Sequence, residues 1–190
     1  MFCESLDIPD VKVLRPDRHE DERGFFSETY SSRNLAEHNV RINIVQENFA
    51  FSRHAQTVRG LHFQTPPFAH AKLIQVVRGS IFDVAVDLRK DSPWYGQYVS
   101  TELSFDNWNQ IYIPAGFAHG LCTLEADTAV FYRVDQFFSP QHDTGIRWDD
   151  PDIGIDWPLT DTNPLLSPKD ATLPLLKDFD SPFIYEGSTK

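Results

Sequence analysis

The sequence predicts an all-β protein of the β-sandwich or jelly-roll type. Most of the chain divides into short runs rich in β-branched and aromatic residues, and turn-forming residues separate these runs. Only one short segment has the character of a helix. Many short strands with so little helix are typical of a sandwich or a jelly roll.

Four strands and one helix are predicted in the first third of the chain. The helix is predicted at Ser32–Glu37, where the hydroxyl of Ser31 or Ser32 can accept a hydrogen bond from a free backbone N–H of the first turn. The strands are predicted at Val11–Arg15, Gly24–Tyr30, Ile42–Phe51 and Val58–Phe63.

The clearest pair of strands follows these. The apolar runs Lys72–Arg78 and Ile81–Leu88 are separated only by Gly79 and Ser80. A Gly-Ser step between two apolar runs is typical of a two-residue hairpin, so we expect these strands to pair with each other.

Four later strands and a long tail complete the chain, which we predict to be a single domain spanning residues 1–190. These strands are predicted at Gln97–Leu103, Gln110–Ile113, Gly120–Leu124 and Thr128–Phe138. After about residue 140 the chain is rich in Pro, Asp and Trp and has weak periodicity. We expect this tail to wrap around the barrel and to bury its apolar residues, which are Ile153, Ile155, Trp157, Leu165, Leu166, Leu175 and Leu176.

Composition restricts the classes of partner. With 41% hydrophobic and 24% charged residues, the 190-residue chain has a globular composition, and no apolar run reaches the roughly 18 residues of a membrane span. The net charge of -11 argues against general affinity for nucleic acid or anionic lipid. The first residues lack the pattern of a signal peptide, and Cys3 and Cys122 are too few for a disulfide framework. We therefore expect a cytoplasmic protein with reduced thiols.

Two segments predict a site inside the barrel. Pro114–His119 reads Pro-Ala-Gly-Phe-Ala-His, which matches the second half of the cupin signature, in which the histidine points into the barrel. The segment Arg59–Gln64 corresponds to the first half, but Gln64 stands where metal-binding cupins carry a second histidine. Zinc or iron usually needs at least three histidine or carboxylate ligands, so we expect no metal.

Four segments together resemble the dTDP-4-dehydrorhamnose 3,5-epimerase family. They are Arg59–Gln64, Lys72–Leu88, Ile113–Gly120 and Ile146–Pro158, and the resemblance runs from about Arg23 to Asp170. It implies a cupin-type double-stranded β-helix, or jelly roll, with a few short helices and a wrapping C-terminal tail. It also implies a nucleotide-sugar substrate, no cofactor and a homodimer whose N-terminal strands join the neighbouring sheet.

The implied reaction inverts carbon centres beside a ketone. Removing a proton there gives an enolate, so inversion needs a base on one face, an acid on the other and a positive group at the ketone oxygen. By resemblance, His62 is the base and Asp170 orients it. Tyr132 matches the acid on the opposite face, and Lys72 matches the cation near the enolate.

The nucleotide half of the substrate requires cations and an aromatic surface. By resemblance, Arg23 and Arg59 contact the diphosphate and sugar, because guanidinium groups bind phosphate bidentately. Phe138 replaces a usual tyrosine in the aromatic pair that stacks on the base. The other positions that match substrate contacts of the family are Phe26, Glu28, Gln46, Glu47, Asn48, His119, Asp143 and Lys169.

Departures from the family pattern leave other functions open. Phe63, Glu47 and Asp143 replace a usual Tyr, Asp and Glu, and these positions bear on the preferred sugar and nucleotide. A mono-epimerase that inverts C3 or C5 alone, and a non-catalytic sugar-binding cupin, are the alternatives. The five other histidines are expected to be structural or exposed to solvent, and they are His19, His38, His54, His70 and His142.

Overall fold

A computed structural model describes residues 1–160 and 163–187 of the chain. Within these residues one short helix, α1, spans Ser32–Glu37, and Ser31 caps it by accepting a hydrogen bond from the Asn34 amide. Two 3-10 turns lie at Asp170–Thr172 and Leu176–Asp178. None of the helices in the described part of the chain has the length and hydrophobicity needed to cross a membrane.

Thirteen strands occur among the described residues. They are β1 Phe2–Ser5, β2 Lys12–Arg15, β3 His19–Asp21, β4 Gly24–Phe26, β5 Gln46–Ser52, β6 Val58–Gln64, β7 Lys72–Arg78, β8 Ser80–Asp87, β9 Tyr98–Ser104, β10 Gln110–Ile113, β11 Phe117–Thr123, β12 Thr128–Val134 and β13 Asp143–Gly145.

Eleven of the strands in the described residues form two large antiparallel sheets that pack face to face, and β3 and β4 form a separate two-stranded sheet. The six-stranded sheet has the order β1-β2-β10-β7-β12-β5, and the five-stranded sheet has the order β13-β6-β11-β8-β9. A core cluster takes side chains from both sheets, including Ile74 and Val130 from the first and Ala85 and Leu121 from the second. Successive strands repeatedly change sheet, so the predicted cupin-type jelly roll is confirmed.

The outer faces of both sheets are also covered. Leu35, Val40 and Ile42, in and after α1, pack on Leu14 and Leu73 of the six-stranded sheet. The tail covers the five-stranded sheet. Its buried side chains there are Ile146, Ile153, Trp157, Leu176 and Phe183, which pack on β6, β8 and β11. Strands buried on both faces carry continuous apolar runs, and the runs of β7 and β8 are of this kind.

The predicted hairpin between β7 and β8 is wrong. The two strands are consecutive, but β7 pairs with β10 and β12, whereas β8 pairs with β11 and β9 in the opposite sheet. Gly79, with φ +75°, turns the chain from one sheet to the other. A short apolar run shows that a strand is buried but not which strand lies beside it, so the local sequence could not distinguish a hairpin from a corner.

Several strand boundaries also differ from the prediction. β4 ends at Phe26, β5 begins at Gln46 and β12 ends at Val134, each inside the longer strand that was predicted. The strands β1, β3 and β13 were not predicted, since each has only three or four residues and little apolar character.

The prediction that the tail wraps the barrel is confirmed, but only three of the seven apolar residues expected to be buried there are fully buried, while Ile155, Leu166 and Leu175 are half-buried. Ile153, Trp157 and Leu176 are buried, but Leu165 is 52% exposed. The backbone of Leu165 instead bridges to the strand β6 region, where its carbonyl accepts a hydrogen bond from the Val58 amide at 3.0 Å. The segment is therefore attached through its main chain and leaves the leucine side chain in solvent.

Candidate active site

A cavity of about 500 Å³ opens between the two sheets. The five-stranded sheet lines it with β6 and β11, and the six-stranded sheet lines it with β5, β7 and β12. The predicted site residues that line it are His62, Tyr132, Asp170, Lys72, Gln46, Asn48, Arg59, His119, Phe138, Asp143 and Lys169. Eleven of the predicted site residues, from several separate segments of the chain, therefore line the same cavity.

His62 and Asp170 form a hydrogen-bonded dyad at the wall of the cavity. The His62 Nε2 lies 2.6 Å from Asp170 Oδ1, and the histidine is partly exposed while the aspartate is buried. The Gly60 amide approaches the second carboxylate oxygen at 3.5 Å. Burial would raise the pKa of the Asp170 carboxyl, but His62, together with hydrogen bonds from Gly60 and Ser167, lowers the pKa below its usual value.

This contact selects one tautomer of His62. A carboxylate is an acceptor only, so the Nε2 that faces Asp170 carries the hydrogen of the neutral ring. The Nδ1 is then the unprotonated nitrogen and can accept a proton.

Lys72 begins β7 and holds a buried ammonium group beside the dyad. Its Nζ donates a hydrogen bond of 3.0 Å to the His62 carbonyl. Burial lowers the pKa of Lys72 to about 8, against the opposing attraction of Asp83 and Asp143. A lysine at the start of a strand is often an exposed edge residue, but this one is only 8% exposed.

Tyr132 reaches the same cavity from the facing sheet. It lies on β12 and pairs with Ile74 and Asn48 across the six-stranded sheet, whereas His62 lies on β6 of the five-stranded sheet. Burial raises the pKa of the Tyr132 phenol, against a lowering by Arg59. The phenol therefore stays protonated at neutral pH and can donate a proton.

His119 forms a second, deeper dyad with Asp83. Its Nε2 lies 2.9 Å from Asp83 Oδ2, and the aspartate is fully buried. Burial lowers the pKa of His119 even though Asp83 attracts its charged form. His119 on β11 and His62 on β6 are cross-strand partners, so the histidines of the two dyads lie side by side on neighbouring strands.

Cations and amides also line the cavity. The Arg59 guanidinium donates to Ser52 Oγ at 3.1 Å and to the Phe51 carbonyl at 3.2 Å, and Lys169 pairs with Asp143. The Gln46 amide donates to Asn48 Oδ1 at 2.8 Å. Phe138 lines the cavity and is 56% exposed, so its ring is free to stack on a planar group.

Gln64 is held by several groups at the rim of the cavity. Its Oε1 accepts a hydrogen bond from the Ser139 amide at 2.6 Å, and its Nε2 lies 2.8 Å from the Phe68 carbonyl and 3.1 Å from the Phe137 carbonyl. Among residues 1–160 and 163–187, no cluster of three or more His, Cys, Asp or Glu side chains could hold a metal ion.

Comparison with known proteins agrees with this geometry. Residues 5–178 match the profile of a family described as dTDP-4-dehydrorhamnose 3,5-epimerase. A protein of that name from Sinorhizobium fredii is 47% identical over 97% of this chain and 94% of its own length. This chain therefore belongs to the dTDP-4-dehydrorhamnose 3,5-epimerase family.

Two solved structures of dTDP-sugar epimerases are similar over almost their whole length. One is the dTDP-4-dehydrorhamnose 3,5-epimerase from Bacillus anthracis with TDP and pyrophosphate bound, at 46% identity, a TM-score of 0.87 and coverage of 92% of this chain and 99% of that one. The other is a dTDP-6-deoxy-D-glucose-3,5-epimerase from Legionella pneumophila in complex with dTDP-4-keto-L-rhamnose. It is 37% identical, with a TM-score of 0.92 and coverage of 98% of this chain and 100% of that one.

Four of the substrate contacts implied by the epimerase family do not line the cavity of this chain. Arg23, Phe26 and Glu28 lie in or just after the β3–β4 hairpin, where the Arg23 side chain is 89% exposed and pairs only with Asp21 among the described residues. Glu47 lies between two cavity residues on β5, and strand alternation turns it to the opposite face. There it accepts a hydrogen bond of 2.6 Å from Arg133 Nε.

Sequence reasoning missed Asp83 and His70 in this epimerase fold. Asp83 is a fully buried carboxylate on β8 and contacts His119, and His70 lines the cavity and contacts Gln64. Asp83 carried a recognisable signal, since a charged residue inside an apolar strand requires a buried partner. His70 lies in a loop and carried no such signal.

Proposed function

We propose that this chain epimerises dTDP-4-dehydro-6-deoxy-D-glucose at C3 and C5 to give dTDP-4-dehydro-L-rhamnose. The observation that carries the proposal is that His62 and Tyr132 line one cavity from opposite sheets, with Lys72 buried beside His62. A sugar ring between the two would present one face to an imidazole and the other to a phenol. The names of the relatives support the same substrate.

Proton removal is assigned to His62. Asp170 keeps the hydrogen of the neutral ring on Nε2, so Nδ1 accepts the proton from the carbon next to the C4 ketone. The buried carboxylate then stabilises the imidazolium that forms. General-base catalysis of this kind contributes roughly 10²- to 10⁴-fold in rate.

The electron pair left on carbon moves to the ketone oxygen, where Lys72 stabilises the negative charge of the enolate. Burial of the ammonium makes this interaction stronger than it is in water. Tyr132 then donates its phenolic proton to the carbon from the opposite face, which inverts the centre. Exchange with solvent returns a proton to Tyr132 and removes one from His62.

The nucleotide half is assigned to the part of the cavity lined by Arg59, Lys169 and Phe138. Arg59 and Lys169 are the cations available to the diphosphate, and Phe138 offers an exposed ring for the base. Gln46 and Asn48 supply amide groups on the same strand face.

We also propose that the protein is a homodimer in which the β3–β4 hairpin reaches the part of the neighbouring cavity that is assigned to the nucleotide. The hairpin lies outside its own cavity and exposes 71% of Phe26, an unusual position for a large apolar ring. Light scattering tests the dimer. Phe26→Ser should weaken association and raise KM, whereas Phe49→Ser, which removes another exposed ring, should not. A monomeric wild-type protein would contradict the proposal.

A cytoplasmic location is proposed on the strength of the two cysteines. Cys3 and Cys122 are both free thiols in the structure, which suits a reducing compartment. Cell fractionation tests this, and recovery of the mature protein outside the cytoplasm would contradict it.

The activity is tested by following the substrate in heavy water by NMR. The wild-type protein should introduce deuterium at both C3 and C5 and invert both centres. His62→Ala should lose exchange and inversion together, whereas Tyr132→Phe should retain exchange and lose inversion, because the base survives and the acid does not. The exposed His54 provides a matched control, so His54→Ala should behave as wild type.

The outcomes separate the alternatives. Exchange at one carbon alone would identify a mono-epimerase, and the absence of exchange would identify a non-catalytic sugar-binding protein. Unchanged deuterium exchange in His62→Ala would show that His62 is not the base.

A further inference from the structure

Gln64 has a fixed amide orientation. Its Oε1 faces the Ser139 amide N–H at 2.6 Å, and its Nε2 faces the Phe68 carbonyl at 2.8 Å. A backbone N–H can only donate and a carbonyl can only accept, so the oxygen and nitrogen of the Gln64 amide cannot exchange places.

The fixed amide presents an N–H to His70. The Gln64 Nε2 lies 2.9 Å from His70 Nδ1, and a separation that short between two nitrogens requires one hydrogen between them. The amide nitrogen carries two hydrogens, and its two nearest acceptors are the Phe68 carbonyl at 2.8 Å and the Nδ1 of His70, whereas the Phe137 carbonyl lies farther away at 3.1 Å. On this assignment the Nδ1 of His70 is an acceptor. The neutral ring then carries its hydrogen on Nε2.

The Nε2 of His70 is available to a ligand. It is hydrogen-bonded to no other group in residues 1–160 and 163–187, and His70 lines the cavity with Lys72 and His119. Burial, together with the charge of Lys72, lowers the pKa of His70 to about 3 against an opposing contribution from the nearby Phe68 carbonyl, so the ring stays neutral across the working range of pH.

The neutral His70 ring, with its N–H donor, is suited to an uncharged acceptor atom on a ligand. The cavity already offers Arg59 and Lys169 to phosphate groups, and Lys72 beside His70 disfavours a second positive charge. A hydroxyl or carbonyl oxygen of a sugar is the matching partner.

We propose that Gln64 fixes the tautomer of His70 so that the His70 Nε2–H donates a hydrogen bond to an oxygen of the bound sugar. His70 is then a substrate-binding residue and Gln64 a positioning residue. The inference rests on the proposed function for the identity of the sugar, but the tautomer and the sugar contact are measurable without turnover.

The tautomer is measured on the wild-type protein by ¹⁵N NMR of its histidine rings, with the His70 signal assigned by its loss in His70→Gln. We expect a neutral ring with hydrogen on Nε2 from pH 5 to 8. Gln64→Glu replaces the donor with an acceptor and should move the hydrogen to Nδ1 or give the imidazolium. A wild-type ring with its hydrogen on Nδ1, donating to the Phe68 carbonyl, would overturn the inference.

The sugar contact is measured by calorimetry with dTDP and with unreactive dTDP-glucose. His70→Phe should weaken binding of dTDP-glucose by roughly 5- to 100-fold, the range expected for an unpaired polar group. Binding of dTDP should stay within about twofold, and His70→Gln, which keeps an N–H donor, should recover part of the loss. Equal weakening for both ligands, or no weakening for dTDP-glucose, would overturn the sugar contact.

The turnover assay is run on the same variants. If wild type shows no exchange while the calorimetry behaves as expected, the proposed reaction fails and the sugar contact stands. If wild type exchanges at both carbons while His70→Phe binds dTDP-glucose normally, the reaction stands and the sugar contact fails. Thermal melting of each variant shows that the fold is retained, and the wild-type tautomer needs no variant that could misfold.

Discussion

At the scale of single residues, the charge beside His62 in the cavity depends on Lys72 and on the attraction of Asp83. Both are buried, and the attraction of Asp83 opposes the burial that lowers the pKa of Lys72. Asp83 also contacts His119, so one carboxylate supports two groups that line the cavity. A buried charge is costly unless it is paired, which explains why these groups occur together.

We expect kcat/KM for epimerisation to fall as pH rises above about 8. The pKa of Lys72 is lowered to about 8, so the ammonium loses its proton there and can no longer stabilise the enolate. A pH profile of kcat/KM in wild type and in Lys72→Met checks this. The variant should be slow and should lack the alkaline decrease. The same decrease in both proteins would assign it to another group.

We expect Asp83→Asn to move the alkaline decrease to lower pH. Asp83 raises the pKa of Lys72, so removing its charge lets burial lower that pKa further. The same pH profile measures the shift. Asp152→Asn removes an exposed carboxylate outside the cavity and should leave the profile unchanged. An upward shift in Asp83→Asn would contradict the prediction.

At the scale of elements, the corner at Gly79 decides which strands face each other across the cavity. The chain passes there from β7, which carries Lys72, to β8, which carries Asp83. Gly79 has φ +75°, and a Cβ at this position would lie 2.4 Å from Thr128 Oγ1 and 3.2 Å from Thr128 Cα. The corner therefore requires glycine for its backbone angle and for space.

Gly79→Ala should lower the free energy of unfolding by about 1–3 kcal/mol, because it combines a left-handed backbone with a clash. Chemical denaturation measures the change. Gly187 provides the matched control, since it has φ +85° and no atom lies within 4 Å of its Cβ position. Gly187→Ala should therefore cost less than Gly79→Ala. Equal losses would show that the contact with Thr128 contributes nothing.

At the scale of the whole molecule, the tail ties the outer face of the five-stranded sheet to the cavity wall. Phe183 is buried against Phe63, whose ring centroid lies 5.9 Å away, and Phe63 follows His62 in β6. The Lys90 amide donates to the Phe183 carbonyl at 2.9 Å, and the Tyr185 amide donates to the Lys90 carbonyl at 2.8 Å. The tail thus supports the strand that carries the proposed base.

We expect Phe183→Ala to lower the free energy of unfolding by roughly 3–5 kcal/mol, the range for a buried phenylalanine that leaves a cavity. The neighbouring Ile184 is 56% exposed, so Ile184→Ala should change it by less than about 0.5 kcal/mol. Equilibrium denaturation of the two variants checks the difference. Similar values would show that the tail does not stabilise the sheet through Phe183.

Much of the fold was predictable because a buried strand appears in the sequence as a short run of apolar residues. The apolar runs of β7 and β8 predicted two strands, and the structure covers their sheets with α1 on one side of the barrel and with the tail on the other. The pairing of these strands was not predictable from the runs, and the Gly-Ser step between them predicted a hairpin that does not form.

The site was predictable to the extent that its residues stand in recognisable segments. His62 and His119 lie in such segments, and both line the cavity. Asp83 and His70 do not lie in such segments. Asp83 contacts His119, which is 36 residues away in the chain, and His70 contacts Gln64, which is 6 residues away. The exposure of Phe26 could likewise not be predicted from the sequence, since it depends on the position of the β3–β4 hairpin relative to the two large sheets.

The sequence by itself determined the class of fold, the family and most of the side chains that meet in the cavity, because residue type and local pattern reflect burial and recurring motifs. The tertiary structure alone decided which strands pair, which tautomers the two histidine contacts select, and which charges are buried together. Those properties depend on distances between residues far apart in the chain, and no local pattern specifies such distances.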